Sequence, residues 1–516
     1  MSQRGIVRNI AAVELDRRGT QDAQGWIYRR LGVEPLINCA GVRTNYGGSN
    51  PSEDVLAAMA AAADAFVDLD ELAEAIGGRI AALTGASWGI VTAGTAAGLS
   101  LATAACIAGN DPELMIRLPN TWGMRNRVVI PAGQRFDYDH AIRMVGAEIV
   151  TVADDQQLIA ALNSGATGMV CVLARSDARG GPSLQRISEL ARRRKIPVLV
   201  DAAGLLPAKP DPWLAKGADL VVYSGGKYLR GPQSTGLLLG DEGLCRAAWL
   251  NGPPHQAFGR ALKIGKEEMV GALVALERCL GHGTAAERAR WQARLGVIRA
   301  AVEGLRGVCV ESIAASASVT ADRMRITWDP REIPLDAETL RRHLLAQRPR
   351  VLLHDFWCTS NSIVVDPVNL TDMDAPMAAM AIAGALSSLS TRRTDPPVDE
   401  PPDFDPSGQW AVSIAFQHGE ARHVLDLHAD VQGNVVGRHE ARRGSGSVTG
   451  RAQGRLIELV ARHAMEPMPL YYTFAGAMRD GAMSGDVLLG AAADEHCGPV
   501  FKAQFGSATW TAHRLR

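Results

Sequence analysis

Val221-Val222-Tyr223-Ser224-Gly225-Gly226-Lys227 carries an apolar run through two glycines to a lysine, and a shorter run upstream, Val198-Leu199-Val200, ends on Asp201. The order is strand, acid, helix, strand, lysine. One chemistry needs both charged residues in this order: a lysine that forms a Schiff base with pyridoxal phosphate, and a carboxylate that keeps the pyridine nitrogen protonated so that the ring draws electrons from the substrate. Taken singly, Asp201 also reads as a helix N-cap after a strand, and Lys227 as a solvated loop lysine. The glycines on both sides of the lysine, Gly225-Gly226 and Gly231-Pro232, point instead to a constrained turn.

Outward from this pair, helical patterns alternate with the apolar runs Trp88-Gly89-Ile90-Val91, Val128-Val129-Ile130, Glu148-Ile149-Val150-Thr151-Val152 and Met169-Val170-Cys171-Val172-Leu173. Short apolar strands separated by helices predict a mostly parallel, doubly wound α/β sheet covered on both faces. This large domain spans residues 31–260, after a helical arm at 1–30. Longer helices around a few strands, such as Arg323–Trp328 and Ser362–Val365, predict a smaller α+β domain at 261–390. The proline cluster in Asp395-Pro396-Pro397-Val398-Asp399-Glu400-Pro401-Pro402 breaks helix and sheet alike, so 391–408 reads as a linker. Beyond it, 409–516 shows short alternating segments and glycine turns, the pattern of an antiparallel β domain, barrel or sandwich. The stretch Gly444-Ser445-Gly446-Ser447 has no helix after it and reads as a hairpin loop.

Composition excludes several classes. Lys+Arg number 54 against Asp+Glu 55, a formal charge of -1, which predicts neither a nucleic-acid nor a membrane-surface partner. The N-terminus is polar and charged and carries no apolar leader, so a cytoplasmic protein is expected. The eight cysteines form no C-x-x-C pair and read as reduced, buried thiols; no metal site is expected.

A second element belongs with the lysine. Thr92-Ala93-Gly94-Thr95-Ala96-Ala97-Gly98 follows an apolar strand and opens a helix. Small residues there let backbone N–H groups and the Thr95 hydroxyl approach a phosphate, helped by the helix dipole. Ser224, three before Lys227, is placed to add a further bond.

Ser224-Gly225-Gly226-Lys227-Tyr228-Leu229-Arg230-Gly231-Pro232-Gln233-Ser234-Thr235-Gly236, with Ile264-Gly265-Lys266-Glu267-Glu268-Met269, Tyr138-Asp139-His140-Ala141-Ile142-Arg143 and Ile37-Asn38-Cys39-Ala40-Gly41, resembles the selenocysteine synthase-like group of fold-type I pyridoxal phosphate enzymes. The likeness runs from about residue 31 to 385. It implies Lys227 as Schiff-base lysine and proton carrier, Asp201 as partner of the ring nitrogen, and Gly94, Thr95, Ala96 and Ser224 as the phosphate cradle. It implies His140 as the group stacked on the ring, Arg135 as an anion contact, and Arg230 or Arg260 as contacts for a substrate carboxylate or phosphate. The expected activity is β-elimination from an amino acid or amino-sugar acid with release of ammonia and a 2-oxo acid, in a homo-oligomer. Racemisation, by reprotonation of the same carbanion, and aldol cleavage, which reaches that carbanion by breaking Cα–Cβ, stay open, as does a non-catalytic binding protein on the same fold. The group's tRNA-dependent members carry a sizeable N-terminal RNA-binding region that these first 30 residues do not supply, and the C-terminal β domain is not part of the resemblance.

Overall fold

The computed structural model describes residues 26–176, 181–316, 320–354, 358–389, 401–465, 469–490 and 505–515. Most of the arm at 1–30 and the proline-rich part of the linker lie outside these residues. Strand β1 (Leu36–Cys39) comes first, and its partner is far along the chain. There follow β2 (Trp88–Thr92), β3 (Arg127–Pro131), β4 (Glu148–Val152), β5 (Thr167–Leu173), β6 (Val198–Asp201), β7 (Leu220–Ser224) and β8 (Gly236–Gly240). These seven form one sheet in the order β2-β8-β7-β6-β5-β3-β4.

The neighbours from β4 through β3, β5 and β6 to β7 are parallel, whereas β8 runs antiparallel to both β7 and β2. Every residue of β2 and β8 is buried, as a sheet covered on both faces requires. The helix Gly94–Ala108 supplies much of that cover; most of its residues are buried, so it lies inside the domain rather than on its surface. By contrast the helix Leu184–Arg192 buries only Leu184, Ile187, Ser188, Leu190 and Ala191, one stripe at helical spacing, and starts on Ser183, whose hydroxyl accepts from the Arg186 N–H.

A second unit joins β9 (Val308–Ile313), β10 (Arg323–Trp328), β11 (Arg350–Leu353) and β12 (Ser362–Val365) with helices that include Asp374–Leu389. Its antiparallel sheet has the order β12-β10-β9, and β1 lies parallel to β11, with Leu36 opposite Arg350. The segment around β1 therefore pairs outside the large sheet, in the unit formed by the described parts of Met1–Asn50 and His282–Arg393. The helix Lys266–Arg278, C-terminal to the expected boundary at 260, packs with the large sheet's elements.

The C-terminal region is a closed antiparallel barrel of β13 (Gly408–Ala415), β14 (Glu420–Ala429), β15 (Asn434–Ala441), β16 (Gly444–Gln453), β17 (Leu456–His463), β18 (Leu470–Arg479), β19 (Ala482–Gly490) and β20 (Ser507–Arg514). Each strand pairs with the next, and β13 closes on β20 with Trp410 opposite Arg514. Strict alternation, as in Leu456–His463, points one face of each strand at a core that includes Trp410, Phe474, Met483 and Trp510. Gly444-Ser445-Gly446-Ser447 is not a loop but the start of β16; the turn is the two residues before it, with Ala441 opposite Gly444. The glycine is needed there because a Cβ on Gly446 would sit 2.1 Å from the Arg462 carbonyl oxygen and 2.6 Å from His463 Cδ2.

Gly446 pairs with His439 on one side and His463 on the other, and its bare backbone leaves room for a row of imidazoles. His439 Nε2 lies 2.9 Å from His423 Nδ1, and His439 Nδ1 lies 2.8 Å from His463 Nε2. Tyr472 packs against all three rings. The row is a line, not a convergent set, and among the described residues no group of three or more His, Cys, Asp or Glu is arranged to hold a metal ion. Burial first, then His423 and His463, hold the His439 imidazole down at about 3.

Acid therefore acts on the barrel with a definite sign. An unfolded histidine takes up its proton near pH ~6.5, whereas His439 refuses it in the fold. The stability from the neutral ring is complete above that value and is lost as pH falls toward about 3, since only the unfolded chain gains the proton. The thermal midpoint of the wild type is expected to fall between roughly pH 7 and pH 5, and to fall less in His439→Phe. Equal acid dependence in the two proteins excludes the row as its cause.

Candidate active site

Leu173 of β5 lies beside Asp201 of β6, and Asp201 beside Val222 of β7, so the carboxyl ends of three parallel strands open on one edge. In open α/β sheets that edge is where ligands bind. It carries Arg175 two residues past β5, Asp201 as the last residue of β6, Ser224 as the last of β7, and Lys227 in the turn toward β8.

The lysine turn is tightly specified. The Arg230 N–H donates to the Lys227 carbonyl at 3.0 Å, and the Gly231 N–H to the Gly225 carbonyl at 2.8 Å. A Cβ on Gly225 would lie 2.0 Å from Thr235 Oγ1, and one on Gly226 would lie 2.4 Å from the Gln233 backbone. Both glycines are what lets the turn fold back on Gln233–Thr235. Arg230 adopts a left-handed φ of 57°, which costs a side-chain-bearing residue about 1–2 kcal/mol. The chain accepts that strain to keep Lys227 where it is.

Beside the turn stands the start of the helix Gly94–Ala108. Gly94 has a φ of 83°, and a Cβ on Gly236 would sit 2.6–2.7 Å from the Gly94 and Thr95 backbone, so this turn and β8 meet main chain to main chain. The Thr95 hydroxyl donates to the Tyr223 carbonyl at 3.1 Å, tying the helix start to the end of β7. The helix has no side-chain cap and no acidic residue in its first turn. Its first N–H groups, with exposed Ala96 and half-buried Thr95 among them, meet no side-chain cap or first-turn carboxylate among the described residues, which suits a phosphate. The Ser224 side chain, also half-buried, has no hydrogen-bond partner among the described residues.

Electrostatics distinguish the acid from the base. Burial lowers the Lys227 ammonium below the ordinary lysine range; Asp201 opposes the shift and Arg175 adds to it. Burial raises the Asp201 carboxyl, while the Ala203 N–H and the charges of Lys227 and Arg175 pull it back. Asp201 Oδ1 accepts from Ala203 at 2.9 Å, and Oδ2 has no hydrogen-bond partner among the described residues. A buried carboxylate with one oxygen unused fits a protonated ring nitrogen, whose charge supplies what burial removes. The donor set, a helix start, two hydroxyls, a carboxylate and a buried amine, fits pyridoxal phosphate group by group.

The remaining sequence-predicted residues divide. His140 is exposed, and its Nδ1 accepts from Arg143 Nη2 at 2.9 Å. Two residues earlier, the Tyr138 phenol is raised by burial and by the charges of Asp137 and Asp201, so Tyr138 lies within electrostatic reach of the acid. Arg135 is tied to buried Asp139 at 2.6 Å, and Arg143 holds the other oxygen of that carboxylate at 2.9 Å. Arg230 is part of the lysine turn, whereas Arg260 lines an apolar cavity with Leu69, Trp249, Pro253 and Met269. The cation that acts on both Asp201 and Lys227 is Arg175, which the sequence reading passed over. Its signal was its place two residues past an apolar strand, on the functional edge of a parallel sheet.

No protein-family model matches the chain. It is 32% identical over 330 residues to D-glucosaminate-6-phosphate ammonia lyase of Salmonella typhimurium, covering 62% of this chain and 86% of that protein. It is 31% identical over 355 residues to 5'-C-glycyluridine monooxygenase-decarboxylase of a Streptomyces species, covering 66% of this chain and 87% of that protein. The chain belongs to the selenocysteine synthase-like group of fold-type I pyridoxal phosphate enzymes. As a member of that group it is an enzyme, and its cofactor is pyridoxal 5'-phosphate. The solved structure of D-glucosaminate-6-phosphate ammonia-lyase matches this fold-type I chain with a TM-score of 0.62 and 28% identity, over 70% of this chain and 98% of that one.

Proposed function

We propose that the protein is a pyridoxal phosphate-dependent lyase that removes ammonia from a β-hydroxy α-amino acid or amino-sugar acid and leaves a 2-oxo acid. The observation that carries this reading is the meeting of Asp201 and Lys227 on one sheet edge, beside an uncapped helix start, in a chain similar to a D-glucosaminate-6-phosphate ammonia lyase. Bound pyridoxal phosphate supplies the electron sink for charge released at the substrate's Cα.

The protein's own groups do the rest. Thr95, Ser224 and the N–H groups of Gly94 and Ala96 hold the phosphate, while Asp201 holds the proton on the ring nitrogen. Lys227 Nζ, whose ammonium form burial disfavours, takes the Cα proton and returns it to the product. His140 and Tyr138, in the segment after β3, would be the groups to cover the ring. In net terms the substrate loses its amino group as ammonia and its β-hydroxyl, a proton arrives at Cβ, and water supplies the oxygen of the new carbonyl, so the atoms balance without an oxidant. No helix among the described residues is long and apolar enough to cross a membrane. We place the enzyme in the cytoplasm as a homo-oligomer acting on a small molecule, not on nucleic acid.

The test is to incubate the cofactor-loaded protein with β-hydroxy amino acids and 2-amino sugar acids and to measure ammonia and 2-oxo acid together. Equimolar release of the two is the expected result. Exchange of the Cα proton without ammonia moves the assignment to a racemase, and aldehyde release moves it to an aldolase. Oxygen uptake with carbon dioxide release places it beside the monooxygenase-decarboxylase relative instead.

A further inference from the structure

We propose that the barrel binds a doubly charged oxyanion where its row of three imidazoles reaches the turn Arg442-Arg443, and that the row takes up a proton as the anion arrives. The site is built from barrel residues alone and does not depend on the chemistry of the pyridoxal phosphate pocket. His423, His439 and His463 are 7%, 0% and 1% exposed. Their two ring-to-ring contacts occupy Nδ1 of His423, both nitrogens of His439 and Nε2 of His463. His423 Nε2 and His463 Nδ1 are left without a hydrogen-bond partner among the described residues. Buried polar side chains seldom keep an unused atom, and here one stands at each end of a single row. Three neutral rings carry three N–H groups; the two contacts use two, and the third lies at one end of the row or the other. One added proton puts a donor at both ends.

The His463 end of the row lies against a turn. Strand β15 passes into β16 through Arg442-Arg443 alone, with Ala441 opposite Gly444. The atom nearest a Cβ on Gly444 would be His463 Nδ1, at 3.7 Å, so the glycine leaves open the space between the ring and the turn. Arg442 and Arg443 are exposed and make no hydrogen bond or ion pair among the described residues. Two guanidiniums beside an imidazole that can gain a proton are donors suited to a doubly charged oxyanion. The surroundings of the row explain why it waits for one. Burial and the other rings hold the imidazoles neutral, and Tyr472 of β18 brings only a phenol that burial keeps protonated. The facing residue of β16 is Gly446. Arg422, Arg438, Glu440 and Arg462, the charged neighbours along the same strands, are exposed, and Glu440 is held by Arg438 at 3.4 Å. An anion at His463 supplies the charge that burial withholds, and so favours the imidazolium.

The experiment titrates the full, cofactor-loaded chain with sodium sulfate by calorimetry, at an ionic strength fixed with chloride, in two buffers of different ionisation enthalpy. Sulfate is the probe because it does not titrate near neutral pH, so every proton taken up belongs to the protein. Wild type, His463→Gln and the double variant Arg442→Ala with Arg443→Ala are compared; sulfate bound elsewhere is common to all three and cancels. Wild type is expected to take up about half a proton or more per sulfate near pH ~6.5, and its affinity to rise by up to about tenfold for each pH unit of acidification. The double variant is expected to bind about 10-fold or more weakly with its melting temperature unchanged. In His463→Gln the proton uptake and the pH dependence disappear. The proposal is overturned if the three proteins bind sulfate alike, if wild type binds it without taking up a proton, or if the double variant keeps the wild-type affinity. Should His463→Gln fail to fold, the exposed-turn variant and the wild-type proton count decide the matter between them.

Discussion

Lys227→Ala is expected to lower turnover by at least about 10³-fold, because in the proposed mechanism one substitution removes both the amine that bonds the cofactor and the base that moves the Cα proton. Two measurements separate this from misfolding. Borohydride treatment of the loaded wild type fixes the cofactor to the peptide containing Lys227, and the variant takes no label. With the proposed phosphate contacts of Thr95 and Ser224 left in place, the variant is expected still to hold cofactor that dialysis removes. Added methylamine is expected to restore part of the rate, since the pocket that lowers the lysine is left in place. A variant that retains wild-type turnover excludes Lys227 as the reacting amine.

Asp201→Asn is the second large effect, about 10²- to 10³-fold in turnover, as expected when a charge aimed at a developing transition state becomes a neutral amide. Here activity and stability point in opposite directions. Burial raises the Asp201 carboxyl, so in the cofactor-free fold its ionised form is a liability: the cost begins as pH rises past the ordinary value of about 3.9 and is complete above the raised value. Asparagine removes that cost. The cofactor-free variant is expected to melt at or above the wild-type temperature, and cofactor is expected to raise its melting temperature by less than it raises the wild type's. A variant that unfolds more easily without cofactor and gains as much from it contradicts this account.

The legible part of the sequence was the part where local chemistry and local pattern agree. Six strands of the large sheet appear as apolar runs between helices, and their order along the chain brings Asp201 and Lys227 to one edge of it. What escaped was held by distance or disguised by glycine. Strand β8 is a core of three leucines bracketed by Gly236 and Gly240, too short to stand out among the longer apolar runs. Strand β16 opens with Gly444-Ser445-Gly446-Ser447, a loop by composition and a strand because Arg462 and His463 press against its backbone. Strand β1 pairs with β11, with Leu36 opposite Arg350, a separation no window along the chain can report. Arg175 escaped for another reason: its place just past a strand is a weak signal beside a lysine and an acid, and it gains weight only once Gln134 and Gly204 are seen around it.

The order in which the barrel is made has its own consequence. Seven of its pairings join strands adjacent in sequence, and hairpins of that kind form as soon as both halves have left the ribosome. The eighth, between β13 and β20, joins residues about a hundred positions apart and waits for the last strand to emerge. Until then the nascent sheet presents two open edges, and Trp410 lacks the core contacts that Trp510 of β20 completes. Synonymous codon changes that slow translation just before Ser507–Arg514 are therefore expected to lower the soluble fraction without altering a residue.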